Sequence, residues 1–503
     1  MTQVQTIPSS AATATPPRHS DHPSAVGLTT LCVDLDGTLI RGDLLWESLV
    51  LLVKRRPLAL LQLPFWVLKG KAVCKHELAS RVQPDAASLQ YRPDVLEFIK
   101  EQQALGRPIY LTTASHIRLA QAVATHLDLF DEVLATTDTC NLSGARKLTA
   151  IQERLGAAPF DYIGDSAADL PLCRAARQAY LVEPAGNLVR ALGPAYDPQR
   201  QFGTPGGKLT AWIMALRPMQ WSKNLLIFVP LMTAHKITNR AMFLQVLLAF
   251  LVFGLSASAV YLFNDLLDIE ADRQHPRKRF RPLASGRLSI PAAIASSGML
   301  FAVSVALSAV LLPPLFLLTL AAYIAVTTLY SLWIKRRLLL DVIVLAGLYT
   351  VRIVAGGAAV GVTISEYLLA FSMFLFLSLA FMKRYTELLI MQDRSQRESR
   401  GRSYITDDLG LIETVGPASG YMAVLVFTLY ISFISGPMAP EKLYKHPIFL
   451  WAVCPILLYW ITRVWFLARR RQFADDPIAF ALRDRVSLLA GALAVTAVLL
   501  ASL

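Results

Sequence analysis

The sequence predicts two folds in series: a doubly wound α/β soluble domain, then an all-α polytopic membrane domain of about nine transmembrane helices. Three observations carry this expectation. Hydrophobic residues make up 54% of the chain and charged residues only 17%, a balance that excludes a wholly soluble globular protein. From Gly27 to about Val189, apolar strand, turn and helix alternate, the rhythm of a sheet wrapped by helices. From Leu209 to Leu503 the apolar runs become long enough to cross roughly 30 Å of hydrocarbon.

The expected spans are 209–233, 242–263, 290–310, 314–333, 340–360, 366–382, 412–434, 447–467 and 486–502. Four connections (264–288, 334–339, 383–411 and 468–485) carry 20 Lys and Arg, whereas those on the opposite side (234–241, 311–313, 361–365 and 435–446) carry 4. The positive-inside rule therefore expects the soluble domain and N-terminus on the cytoplasmic side of a bacterial inner (plasma) membrane, with the C-terminus outside. The net charge of +13 is thereby assigned to membrane edges, and no nucleic acid is expected as a partner. Five cysteines (Cys32, Cys74, Cys140, Cys173 and Cys454) lie far apart without a CxxC pair, which indicates neither a zinc site nor a disulfide framework. Residues 1–26, rich in Ser, Thr, Ala and Pro without an apolar core, read as a disordered tail. The expected divisions are then 27–200 for the soluble domain, 201–208 for a linker and 209–503 for the membrane domain.

The first strand ends in chemistry. Thr30–Val33 runs into Asp34-Leu35-Asp36-Gly37-Thr38, which puts two carboxylates at the carboxyl end of a strand, where open α/β sheets bind ligands. Two acids and a glycine turn can bind Mg²⁺, although such a motif alone could be a surface turn. Three later segments argue against that. A second strand, Ile109–Leu111, ends in Thr112-Thr113-Ala114-Ser115; Lys147 follows a Ser-Gly turn; and Tyr162-Ile163-Gly164 leads into Asp165 and Asp169. This set resembles the haloacid dehalogenase (HAD) phosphatase superfamily. The resemblance implies Asp34 as a nucleophile forming an aspartyl phosphate, Asp36 as general acid/base, Thr113 and Lys147 as phosphate binders, and Asp34, Asp165 and Asp169 around Mg²⁺. A carboxylate can attack a phosphoryl group only where a metal and a cation offset their mutual repulsion.

Between the first two motifs, an insertion at 46–80 holds short apolar runs (Leu49–Val53 and Leu58–Leu68) flanked by Lys54, Arg55, Arg56, Lys69, Lys71 and Lys75. It reads either as an amphipathic hairpin on an anionic bilayer surface or as a cap packed on the domain's own core.

In the membrane part, Asn264-Asp265-Leu266-Leu267-Asp268-Ile269-Glu270-Ala271-Asp272 closes the second span. On one helix, Asp265, Asp268 and Asp272 share a face. Acids at a membrane boundary are costly unless paired or metal-bound, and an oxygen-rich cluster suits Mg²⁺ bridging substrate phosphates. The basic run that follows, His275, Arg277, Lys278, Arg279, Arg281 and Arg287, implies a polyanionic substrate, or else serves only to set topology.

The NDxxDxxxD and HPxKRxRP patterns resemble the UbiA-type intramembrane prenyltransferase superfamily. Further landmarks (Arg217, Gln220, Lys223, Asn224, Tyr330, Lys335, Asp341, Arg352, Lys383, Arg384 and Glu387) resemble its decaprenyl-phosphate phosphoribosyltransferase branch. That likeness implies Asp265, Asp268 and Asp272 as catalytic metal-binding acids, with these landmarks and Asn264, His275, Lys278, Arg279 and Arg281 on the substrates. One departure from the parent superfamily agrees: Asp341 is followed by Val342, Ile343, Val344 and Leu345, so a second acidic cluster is missing.

The expected activity is transfer of 5-phosphoribose from phosphoribosyl diphosphate to a polyprenyl phosphate with Mg²⁺, the HAD domain removing the 5-phosphate. Membrane lipids are expected around the chain, and a homo-oligomer is compatible with it. Two alternatives stand beside this: an aromatic or quinone-precursor prenyltransferase fused to a phosphatase, and a transporter or lipid-binding module whose HAD domain senses phosphate.

Overall fold

The computed structural model describes residues 28–184, 186–193, 196–203, 207–393, 403–435, 444–472 and 477–503. The expected tail at 1–26 and the middle of the expected linker, 204–206, lie outside them. The chain divides into two compact units, one of residues 1–52 and 58–204 and the other of residues 53–57 and 205–503.

The first unit is an α/β domain. Its strands are β1 (Thr30–Val33), β2 (Ile109–His116), β3 (Glu132–Thr136), β4 (Phe160–Gly164), β5 (Ala179–Val182) and β6 (Gln201–Phe202). They form one parallel sheet in the order β3-β2-β1-β4-β5-β6. Helices α1 (Leu44–Arg55), α2 (Leu63–Leu68), α3 (Lys71–Arg81), α4 (Pro93–Ala104), α5 (Ile117–Leu127), α6 (Ala145–Leu155), α7 (Leu170–Ala175) and α8 (Gly186–Leu192) connect them. Period-two alternation along β1 feeds two cores: Leu31 and Val33 join one with Ile109, Leu111 and Ile163, while Cys32 joins another with Tyr162 and Leu181. Because β1 lies between β2 and β4, its carboxyl end is where the chain order reverses, and the crevice there is open to a ligand.

The insertion folds as α1, a 3-10 turn (Pro57–Gln62), α2 and α3. Trp66 is buried with Leu51, Leu52, Leu78 and Val82 in a small core of their own. Asp138 ties α3 to the end of β2, lying 2.7 Å from His76 Nδ1 and 3.0 Å from His116 Nε2.

The second unit is helical. It comprises α9 (Lys208–Leu216), a 3-10 segment (Pro218–Phe228), α10 (Val229–Thr233), α11 (Arg240–Leu267), α12 (Ile269–Gln274), α13 (Ile290–Leu311), α14 (Pro314–Leu332), α15 (Leu340–Val360), α16 (Glu366–Asp393), α17 (Leu409–Ser435), α18 (Val453–Arg469), α19 (Pro477–Ala481) and α20 (Arg485–Ser502). Among the described residues, eight helices are long and apolar enough to cross a membrane. The first expected span, 209–233, is broken. Arg217 takes a left-handed φ of 51° and Pro218 starts a 3-10 segment; proline disfavours helix in the residue before it.

Small residues let this broken segment lie against its neighbours. A Cβ on Gly356 would fall 2.0 Å from the Ile227 carbonyl oxygen, and one on Gly254 would fall 2.8 Å from the Trp221 ring. Gly298, by contrast, has open space around it. Gly356→Ala should therefore destabilise the purified protein by about 1–3 kcal/mol, as overpacking does, and lower its melting temperature in detergent. Gly298→Ala should leave the melt unchanged, and equal melts for the two variants would show that the close approach contributes nothing.

Candidate active sites

At the carboxyl end of β1, Asp34 is buried with Lys147 Nζ 2.9 Å from its Oδ1. The same Nζ lies 3.0 Å from Tyr162 Oη and 3.4 Å from Asp169 Oδ1. Asp169 also accepts from Tyr162 Oη at 2.8 Å and Ser166 Oγ at 2.8 Å. Asp36 faces the other way, accepting from the Leu44 N–H at 2.8 Å, Ser115 Oγ at 2.6 Å and Thr113 Oγ1 at 3.3 Å. A register shift in β2 between Thr113 and His116 lets both hydroxyls reach one carboxylate, since a bulge re-aims side chains. Gly37 sits at φ +77°, where a Cβ would fall 2.3 Å from Asp165 Oδ2. Only glycine fits that turn. Thr38 Oγ1 donates to Asp165 Oδ1 at 3.1 Å.

Oxygens of Asp34, Asp165 and Asp169 lie within 4.8 Å of one another, and Lys147 is in direct contact with two of them, Asp34 and Asp169. Burial, aided by neighbouring carboxylates, pushes Asp34 and Asp165 up to about 7. Burial and the Asp43 charge push Asp36 up to about 6. Burial opposes charge on Asp169 too, yet Lys147, Tyr162 and Ser166 hold it below its ordinary value. Three hard oxygen donors with one lysine among them fit Mg²⁺. Sequence reasoning placed Asp34, Asp36, Thr113, Lys147, Asp165 and Asp169 in this site, and the fold brings them together. It missed Ser115 and Tyr162. The signal for Ser115 was its place two residues beyond Thr113 on the same strand.

In the second unit Asp265 lies in the last turn of α11, which ends at Leu267; Asp268 caps that helix, and Asp272 lies on α12, which starts at Ile269. The expectation of three acids along one unbroken helix face is thus corrected. Asp265 and Asp272, both buried, converge on Arg281, whose Nη1 lies 3.1 Å from Asp265 Oδ1 and 2.6 Å from Asp272 Oδ2. Arg217 Nη2 lies 2.6 Å from Asp265 Oδ1, and Asp268 pairs instead with Lys335 at 3.2 Å. Acids at a helix C-terminus oppose the macrodipole, which is one reason each needs a cation. Burial pushes Asp272 above its ordinary value despite Arg281. Among the described residues, Asn264 Oδ1 is buried with no hydrogen-bond partner, and this oxygen adjoins the acids. Unlike the HAD acids, Asp265, Asp268 and Asp272 do not bring their oxygens within 4.8 Å of one another in this structure; Arg281 joins Asp265 to Asp272.

The other expected residues form further groups. His275 Nδ1 accepts the Arg277 and Lys278 N–H groups at 3.2 and 3.3 Å, closing the basic loop, and Arg279 stacks 4.9 Å from Phe280. Arg352 Nε donates to Asn224 Oδ1 at 3.0 Å and Nη2 to Tyr323 Oη at 3.2 Å, with Lys223 Nζ 5.8 Å from the Tyr349 ring. Among the described residues, Asn224 Nδ2 is buried without a hydrogen-bond partner. Gln220 contributes its backbone N–H to the Arg217 carbonyl at 2.8 Å, while Lys383 is half-buried on α16.

Asp341 and Arg384 were expected on substrate, and the structure instead gives them protein partners. Arg384 Nε lies 2.7 Å from Asp341 Oδ2, also meets Glu387, and lies 3.3 Å from Tyr330 Oη; Tyr404 donates to Asp341 Oδ1 at 2.9 Å. A guanidinium, rather than a second acid, is Asp341's partner here.

Residues 225–499 match the model of the UbiA prenyltransferase family, and residues 31–174 match that of the haloacid dehalogenase-like hydrolases. The chain belongs to the UbiA prenyltransferase family, with a HAD domain at its N-terminus. Over 484 residues it is 36% identical to an uncharacterised protein, y4nM, of Sinorhizobium fredii, covering 94% of this chain and 90% of that one. It is 34% identical to the nodulation protein NoeC of Azorhizobium caulinodans, over 54% of this chain and 87% of that protein. The decaprenyl-phosphate phosphoribosyltransferase of Corynebacterium glutamicum is 32% identical over 49% of this chain and 75% of its own length. Both domain types belong to enzymes, and both families are Mg²⁺-dependent in general. With its eight long apolar helices, the UbiA unit makes this a multi-pass membrane protein.

The raised acids of the HAD site give a pH prediction. In the folded, metal-free site Asp34 and Asp165 keep protons up to about pH 7, whereas in the unfolded chain they lose them near pH 4. Their contribution to stability is thus full below pH 4 and is lost as pH rises through 7. Melts of the chelator-treated protein should show Mg²⁺ stabilising it more at pH 8 than at pH 5, with Asp34→Asn shrinking that difference. A Mg²⁺ effect independent of pH in this range would contradict the assignment of these acids to the metal.

Proposed function

We propose that the membrane unit transfers 5-phosphoribose from phosphoribosyl diphosphate to a polyprenyl phosphate, and that the HAD domain removes the 5-phosphate of the lipid product. On this reading the enzyme sits in a bacterial inner membrane with its HAD domain on the cytoplasmic side, in keeping with the basic loops. The observation that carries the transfer reading is the interleaving of Asp265, Asp268 and Asp272 with Arg217, Arg281 and Lys335. Acids alone would serve a metal; acids alternating with cations serve a polyanion together with its metal. The likeness to phosphoribosyltransferases from three genera supports the same substrates.

In transfer, the acceptor phosphate is already anionic, so its oxygen attacks C1 of the ribose without a general base. The C1–O bond to diphosphate breaks, and the departing charge is received by Arg217, Arg281 and Lys335. Such fixed cations in a low-dielectric site stabilise charge more than water does. Asn264, Asp265, Asp268 and Asp272 would hold Mg²⁺, which would neutralise part of the diphosphate charge. A single displacement inverts the α donor to a β-linked product. Lys223, Asn224 and Arg352 offer a second cationic group for another substrate phosphate. Asp341, Arg384 and Glu387 act through one another, fixing α15 against α16.

In hydrolysis, Asp34 attacks phosphorus while Asp36 protonates the leaving ribose oxygen. Asp36 then takes a proton from the water that hydrolyses the aspartyl phosphate; a carboxyl pushed to about 6 is placed to do both near neutral pH. Thr113, Ser115 and Lys147 receive the phosphoryl oxygens, and Asp34, Asp165 and Asp169 would hold the metal.

Purified protein supplied with Mg²⁺, a polyprenyl phosphate and labelled phosphoribosyl diphosphate should yield a ribosylated lipid identifiable by mass spectrometry. Asp34→Asn should leave transfer intact yet accumulate the 5-phosphorylated lipid. Asp272→Asn should slow transfer at least about a hundredfold while phosphatase activity on p-nitrophenyl phosphate persists. Transfer of the prenyl group of a prenyl diphosphate to an aromatic acid instead would establish the alternative that the family match by itself also allows. Unchanged lipid ratios in Asp34→Asn would assign the phosphatase another substrate.

A further inference from the structure

The insertion of the HAD domain carries a surface that neither site uses. Along the 3-10 turn and α2, Trp66 points inward, 6% exposed, with the Arg81 guanidinium 4.4 Å from its ring centroid. Leu58, Leu61, Phe65, Val67 and Leu68 point outward and are 59–84% exposed. Its base is fixed: His76 pairs with Asp138, and Lys75 Nζ donates to the Ala114 carbonyl at 2.6 Å and Asn141 Oδ1 at 2.8 Å. The apolar crest is therefore held out by a rigid support.

Charge identifies what covers it. From Ser48 to His76 the chain contains no acid, and Lys54, Arg55 and Arg56 precede the crest while Lys69 and Lys71 follow it. Twelve residues, Pro57–Leu68, are too few to span a bilayer, but an apolar ridge rimmed by cations matches the plane where acyl chains meet anionic headgroups. A bilayer is always at hand, because the other unit is a membrane protein. Only five residues separate Phe202 from Lys208, a reach of at most about 20 Å.

We propose that the Pro57–Leu68 crest docks into the anionic face of the membrane that the chain itself spans, with Leu58, Leu61, Phe65 and Leu68 at the acyl boundary. The insertion that carries the crest also borders the phosphatase acids, since its next helix, α3, carries Lys75 to the Ala114 carbonyl between Thr113 and Ser115. The HAD site would thus be offered substrates that remain in the leaflet.

The test uses the full chain in vesicles of phosphatidylcholine mixed with phosphatidylglycerol, some lipids carrying a nitroxide on the acyl chain. An environment-sensitive fluorophore is attached at Leu61→Cys, with the exposed Cys140 replaced by Ser, and separately at Leu105→Cys, a comparably exposed position at the C-terminal cap of α4. Unchanged p-nitrophenyl phosphate turnover confirms that both labelled proteins are folded. Docking predicts blue-shifted emission at position 61 and nitroxide quenching at least about threefold greater than at 105, weaker in pure phosphatidylcholine. Equal quenching at the two positions would overturn the proposal. So would a blue shift at 61 without quenching, which would mean that protein covers the crest.

Discussion

Buried carboxylates that need cations organise both units of this protein. A charge moved into a low-dielectric interior is tolerated only when it is paired and hydrogen-bonded. In the HAD site one lysine serves two of three clustered acids, and burial raises the protonation of Asp34 and Asp165 to about 7. The deficit is what a divalent cation supplies. In the membrane unit Asp265 meets both Arg217 and Arg281, Asp272 meets Arg281 and Asp268 meets Lys335, pairings that an incoming metal and a polyanion can exchange for each other. The same rule, satisfied internally, turns Asp341, Arg384 and Glu387 into a fixed brace between two helices.

Backbone geometry follows from serving these groups. Gly37 takes a positive φ so that Asp165 can approach the turn after β1. Arg217 takes a left-handed conformation that costs a residue with a side chain about 1–3 kcal/mol, and its side chain reaches Asp265 from there. Asp268 ends α11 between two acids that share Arg281. Each irregularity lies beside a charged group, as expected where function constrains the chain.

Much of this was legible in the sequence. The alternating strands, the apolar runs and the acid motifs named both folds, and the motif order located the HAD acids, Thr113 and Lys147. What the sequence pattern concealed were events that depend on tertiary partners. Helical spacing placed Asp265, Asp268 and Asp272 on one face, but spacing cannot register a break at Asp268. Hydropathy joined residues 209–233 into one span, although Arg217-Pro218 divides it. Arg384 read as a substrate cation because its partner Asp341 is 43 residues away, and Tyr404, which donates to that same carboxylate, is 63 residues from Asp341. Ser115 and Tyr162 carry no motif weight alone and gain their roles only when β1, β2 and β4 are adjacent.

On the proposed function, one chain adds phosphoribose to a lipid and then removes its 5-phosphate. Phosphoribosyl diphosphate radiolabelled in its 5-phosphate follows both steps in one time course. Label is expected to enter the polyprenyl lipid first and to appear as inorganic phosphate only after a lag, at the expense of the labelled lipid. Inorganic phosphate released without a lag, or without label ever entering lipid, would contradict it.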